Sequence, residues 1–123
     1  MRIERAEPTV DKGWYVGHWN SDLSVSVGYA NKGIDEPHVH HRITEIYLVA
    51  RGTSEMRVEQ ETVTLEAGDM IVIEPGEAHT FLSSSLEYLH FVVHVPGLSG
   101  EEARRDKMPV SRSRLGRNVD GRP

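Results

Sequence analysis

Apolar and polar residues alternate one for one through Leu23-Ser-Val-Ser-Val-Gly-Tyr29, which places Leu23, Val25, Val27 and Tyr29 on one face of an extended strand. Short β-rich segments of this kind, punctuated by turn residues, recur along the chain. They predict strands over residues 14–19, 23–29, 44–50, 54–59, 62–65, 70–74, 79–82 and 86–95, a spacing typical of a sandwich or barrel. No amphipathic helix of ordinary length precedes residue 98. Internal repeats and alternating β and α patterns are both lacking, so a parallel, doubly wound sheet is not expected. The strand pattern stops at Pro96, and Ser99-Gly-Glu-Glu102 reads as a capping box opening a short helix through about Lys107. The predicted organisation is an all-β domain over residues 1–97, then a short helix and a polar tail over 98–123.

The candidate chemistry sits on those strands. His38 and His40 share a face in an extended run, while Val39 points the other way. Glu45 lies an odd number of residues beyond His40 and cannot join that face along one straight strand. A bend at His41-Arg42, followed by the strand from Thr44 to Ala50, brings it back. His79 arrives after the strand 70–74 and the Pro75-Gly76 turn. Taken singly, each of these residues reads as a polar surface position. Together, three imidazoles and one carboxylate are the set a borderline divalent metal takes, with donors roughly 2.0–2.2 Å from a zinc-like ion. Strands this far apart in sequence converge on one interior point only in a barrel or sandwich.

These stretches resemble the paired motifs of the cupin superfamily. The first motif, a glycine, His-x-His, a glutamate and a further glycine, is matched by Gly33, His38, His40, Glu45 and Gly52, with one residue fewer than usual before His38. The second, a glycine, a Pro-Gly turn and a histidine, is matched by Gly68, Pro75, Gly76 and His79. Glu74 stands where a proline is often found and Ser83 where the pattern favours asparagine; neither is a ligand position. The resemblance spans residues 23–95 and implies a small single-domain cupin: a jelly-roll β-barrel holding one divalent transition metal (iron, manganese, zinc or nickel) on His38, His40, Glu45 and His79. Cupins include dioxygenases, isomerases, epimerases, decarboxylases, storage proteins and sensor domains, so the fold does not select the reaction.

Composition narrows the picture further. The 123-residue chain has no cysteine, which excludes disulfides, thiolate ligands and a cysteine nucleophile, and leaves a nitrogen and oxygen site. A domain of this size has limited area for a core, so a homodimer is expected. The charged N-terminus and the lack of any run of about 18 apolar residues predict neither signal peptide nor membrane span, with the cytoplasm as the default location. Seven basic and fifteen acidic residues give −8 over residues 1–96, and seven and four give +3 over 97–123, in a chain of net charge −5. A basic tail on an acidic barrel reads first as solvated; the alternatives are an anion site or docking on its own or a partner's surface. An acidic barrel without interleaved basic and aromatic residues is not expected to bind nucleic acid.

Several side chains have two readings. Tyr88, His90, Val92 and His94 share one face of the last strand. If that face looks inward, His90 is a candidate acid/base near neutral pH and His94 lines the substrate pocket; if outward, both are surface or interface histidines. Tyr47 and Phe81 are expected to line the same cavity as well as to pack the core. His41 reads as a loop residue or a hydrogen-bonding neighbour of the ligands, His18 as structural and Glu74 as a strand-end surface charge. Two functions follow. One is a metalloenzyme of the dioxygenase or isomerase/epimerase type, acting on a small oxygenated molecule such as a sugar derivative, keto acid or dihydroxy aromatic. The other is a non-catalytic small-molecule-binding or sensing module.

Overall fold

A computed structural model describes residues 1–116. Ten strands form two antiparallel five-stranded sheets. The first sheet has the order β1-β2-β9-β4-β7: β1 (Lys12–Val16), β2 (Ser26–Ala30), β9 (Leu89–Val95), β4 (Thr44–Arg51) and β7 (Met70–Ile73). The second has the order β10-β3-β8-β5-β6: β10 (Lys107–Pro109), β3 (His38–His40), β8 (His79–Ser84), β5 (Thr53–Val58) and β6 (Glu61–Glu66). The barrel is therefore a jelly roll of two facing sheets, not one continuously hydrogen-bonded ring. Its core joins Tyr47, Val49, Ile73 and Val92 of the first sheet to Met56, Leu65 and Phe81 of the second, with Tyr88 between them.

Three of the predicted strands shift, the last of them beginning at Leu89 and not at residue 86. The first ends at Val16, because Gly17 and Asn20 close a turn in which Asn20 Oδ1 accepts the Gly17 N–H (2.9 Å) and Asn20 N–H meets the Gly17 carbonyl (3.3 Å). The second begins only at Ser26, which leaves Leu23 exposed. Its large residues also face outward. Val27 and Tyr29 pair with Val93 and Phe91, while Ser26, Gly28 and Ala30 pair with His94, Val92 and His90 on the inner face. Tyr15 covers Tyr29 from outside at 4.8 Å between ring centroids, and the Tyr29 hydroxyl accepts the Glu7 N–H at 3.0 Å. The apolar face that alternation marks is thus the outer one, covered by Tyr15 and the N-terminal segment. The small inward residues leave interior space.

The segment beyond residue 97 is integral to the fold as far as residue 116. Ser99 caps α1 (Gly100–Asp106) by accepting the Glu102 N–H at 3.3 Å, as the capping box predicts. β10 then pairs with β3, setting Lys107 opposite His40 and Pro109 opposite His38. A 3-10 turn (Arg112–Leu115) follows, and Leu115 is wholly buried against Val39 and Ala78. Arg57 donates to the Leu115 carbonyl and Arg114 pairs with Glu59 at 2.9 Å. A solvated tail is therefore the wrong reading for residues 110–116, which dock on the chain's own second sheet. The remainder of the basic tail, 117–123, lies outside the described residues.

Candidate metal centre

His38 and His40 lie on β3, and His79 opens β8 directly opposite His38. Gly76 N–H donates to the His40 carbonyl at 2.8 Å, which docks the Pro75-Gly76 turn beside the ligand strand. Glu45 comes from the facing sheet. There it pairs with His94 on β9, so the four ligand candidates and His94 meet between the sheets. Glu45 Oε1 is 3.4 Å from His38 Nε2, 3.1 Å from His40 Nε2 and 2.7 Å from His79 Nε2. Glu45 Oε2 accepts the Tyr47 hydroxyl at 2.8 Å and lies 2.9 Å from His94 Nε2. His40, Glu45 and His79 are buried to within 4% exposure, as a dry ligand site requires.

The other ring nitrogens decide what these imidazoles present. His38 Nδ1 contacts the Glu36 carbonyl (2.6 Å), His79 Nδ1 the Glu77 carbonyl (3.0 Å), and His40 Nδ1 the Asp106 carboxylate (2.9 Å). Carbonyls and carboxylates only accept, so each Nδ1 carries the hydrogen and each ring, when neutral, turns an Nε2 lone pair toward Glu45. Glu45 Oε1 and His79 Nε2 are buried without any hydrogen-bond partner among the described residues. Lone pairs and a carboxylate oxygen repel at these distances. A shared cation resolves the conflict, and the donor set fits a divalent transition metal. His38, Glu45 and His79 have donor atoms within 4.8 Å of one another, as do His40, Glu45 and His94.

Without an ion, the same contacts can be satisfied only by imidazoles that donate from Nε2. Burial works against the Glu45 charge, yet hydrogen bonds of that kind from the four imidazoles hold its pKa well below the usual carboxylate range. Burial pushes His38 down, whereas for His40 the opposing pull of burial is outweighed by Glu45 and Asp106, and its pKa rises. Tyr47 is raised well above the normal phenol value by burial and by the Glu45 charge, so its hydroxyl stays protonated and keeps donating.

Asp106 was not singled out from the sequence. Its carboxylate takes the His40 Nδ1–H, the Arg42 N–H (2.6 Å) and the Ile43 N–H (3.4 Å), so one buried group orients a ligand and braces the bend that returns Glu45. An acidic residue at the C-terminal end of a helix opposes the helix dipole, and that is the one local sign of its second duty. The inward reading holds for the last strand. His90 is 3% exposed and pairs with Val49 and Ala30, and His94 faces Glu45. Tyr88 donates to Ser54 Oγ (3.0 Å), and its oxygen meets His90 Nδ1 at 2.8 Å. Burial takes the His90 pKa down to about 4, so the imidazole is uncharged at neutral pH. Tyr47 and Phe81 are buried beside it, with Phe81 stacked on His90 at 4.9 Å. His41 and Glu74 are exposed, and His18 takes the Gly100 N–H at 3.0 Å.

A cavity of about 560 Å³ opens onto this centre, lined among others by His38, His40, Glu45, His79, His90 and His94. This is a jelly roll with a His-Glu cluster at the base of a small-molecule-sized pocket. Residues 25–95 match the cupin domain family, and the chain belongs to that family. Among solved structures, Streptomyces Pac13, described as a unique nucleoside dehydratase, has a TM-score of 0.61 at 20% identity, covering 89% of this chain and 97% of that one. A Pac13 variant with uridine gives 0.65 at 17% identity, over 82% of this chain and 79% of that one. KdgF from Halomonas sp. gives 0.60 at 21% identity, over 76% and 85%. These likenesses establish the fold. The sequence has no match among curated proteins.

Proposed function

We propose that the chain is a metal-dependent enzyme of the dioxygenase or isomerase/epimerase type, acting on a small oxygenated molecule. The observation that carries the reading is the convergence of three Nε2 lone pairs on one buried carboxylate oxygen, each ring fixed by an acceptor at Nδ1. His38, His40, Glu45 and His79 would hold the ion. A divalent metal bound there supplies Lewis-acid polarisation of substrate oxygens, or redox chemistry when it is iron. The protein's own groups do the rest. Tyr47 donates to Glu45 and fixes its rotamer, and Phe81 and Val92 keep the deep end of the cavity apolar. His90 lines the cavity wall as the acid/base candidate, although a pKa of about 4 makes it a weaker base at pH 7 than the near-neutral shuttle expected from the sequence, and His94 lines the pocket against Glu45.

The test is metal analysis of untagged protein together with oxygen-uptake and isomerase screens of small diols, keto acids and sugars. His79→Ala is expected to lose most of the bound metal; unchanged occupancy would remove His79 from the site. Saturable ligand binding with no turnover in either screen would favour the sensing module.

The same proposal includes a homodimer. On the outer face of the first sheet Ile46 pairs with Val72 and Leu48 with Met70, and Leu48, Met70 and Val72 are 37%, 58% and 39% exposed. A flat apolar strand pair of this kind suits self-complementary packing about a two-fold axis.

A further inference from the structure

The chain has two tryptophans, and both stand at the cavity mouth, 47% (Trp14) and 52% (Trp19) exposed. Neither is loosely held. The Trp14 ring lies on Gly28, where a Cβ would come within 2.8 Å of it, and Trp19 folds over Gly17, where a Cβ would come within 2.0 Å. The two rings meet edge to face at 6.2 Å and 81°. His18 accepts the Gly100 N–H at 3.0 Å, which ties the Trp19 loop to α1. Trp14 also touches the His94 ring at 4.9 Å between centroids, so this aromatic wall runs without a break down to Glu45. Such a wall is ready for a planar ligand before the ligand arrives.

Charge at the mouth runs against the charge of the whole chain. Lys12, Arg104 and Lys107 line it with one carboxylate, Glu36, in a protein of net charge −5. Glu36 is taken by Lys107 at 2.8 Å and by Lys12 at 3.6 Å. Arg104 forms no ion pair or hydrogen bond among the described residues. Its Nη1 and the His18 ring lie 3.6 and 3.7 Å from the same point beside Gly100, which places the guanidinium next to the aromatic wall. An exposed guanidinium beside a stacking surface is suited to a planar anion, which it can bind through paired N–H donors.

We infer that the cavity selects an aromatic oxyanion, with its ring against Trp14 and Trp19, its carboxylate or phosphate at Arg104, and its remaining oxygens toward the His-Glu centre. This rests on the cavity being the active site of the proposed enzyme. It narrows the substrate class to aromatic compounds and away from keto acids and sugars.

The two tryptophans are also the reporter. The full chain, in metal-loaded and chelator-treated forms, is titrated with benzoate, phenyl phosphate, benzamide and cyclohexanecarboxylate while tryptophan emission is followed. Benzoate and phenyl phosphate are expected to quench saturably, the tighter of the two identifying the preferred anion. Benzamide and cyclohexanecarboxylate are expected to bind about tenfold more weakly. Arg104→Gln should weaken benzoate about tenfold and leave benzamide unchanged. Trp19→Leu, with circular dichroism to check folding and Trp14 as the remaining reporter, should bring benzoate and cyclohexanecarboxylate together. Equal binding of benzoate and benzamide by the wild type, or indifference of benzoate to Arg104→Gln, overturns the inference. Arg104-dependent benzoate binding by a protein that takes up none of the divalent metals offered to it would retire the metal reading alone. Loss of discrimination in a metal-loaded protein would retire this inference alone.

Discussion

Replacing Asp106 by asparagine separates ligand orientation from simple packing. Oδ2 meets His40 Nδ1 (2.9 Å) and Ile43 N (3.4 Å), and Oδ1 accepts the Arg42 N–H at 2.6 Å. Asparagine keeps the volume but offers one acceptor oxygen. Whichever way its amide turns, either His40 or Arg42 faces an NH₂ group. A hydrogen bond to a charged group contributes about 1.5–3 kcal/mol, so the chelator-treated variant should lose about 2 kcal/mol of stability in urea. The metal consequence is separate. Removing the partner that fixes a ligand imidazole typically weakens metal binding 10- to 100-fold, roughly 1.4–2.7 kcal/mol. Competition against a chromophoric chelator measures that affinity directly. A variant destabilised as expected whose metal affinity stays within about twofold of wild type would show that Asp106 braces the bend without serving the ligand, and the orienting argument would fail.

Three other outcomes are expected. His90 titrates near 6.5 when unfolded and about 4 when folded, so its contribution is complete above pH 6.5 and is lost as pH falls from 6.5 toward 4. A shift of that size is worth about 3 kcal/mol, and His90→Gln should flatten the pH dependence of urea midpoints across this window; an unchanged slope would contradict the buried, neutral assignment. Leu115→Ala empties a fully buried position and should cost about 2–5 kcal/mol by chemical denaturation, against under 1 kcal/mol if the segment were undocked. Leu48→Glu should convert a dimer to monomer in light scattering while metal content is retained; a wild type that is monomeric at micromolar concentration would dispose of the interface.

The convergence of the His-Glu cluster was legible because its information is local. His38 and His40 announce a shared face by spacing alone, and the odd step to Glu45 requires the bend that the structure contains. Strand alternation located most of the sheet for the same reason. It could not say which side of β2 faces the interior, where a cavity lies within and Tyr15 and the N-terminal segment cover the large residues outside. Asp106 and the Trp14–Trp19 wall were not legible. Asp106 reaches His40 across 66 positions, and the wall depends on glycines in two different segments. Apart from the unfavourable charge of Asp106 at its helix end, nothing in a local window reports such contacts. The inward turn of His90 was likewise settled only by the register of β9 against β4.

The placement of Asp106 also sets an order of events during synthesis. All four candidate ligand side chains have been polymerised once residue 79 is added, yet the carboxylate that fixes His40 and the Arg42 bend belongs to a helix made 27 positions later. A nascent chain halted after β9 would carry every donor and still lack the group that aims one of them. The proposed site is therefore complete only when α1 and β10 have been made and docked, although every candidate donor is already in place along the chain before them.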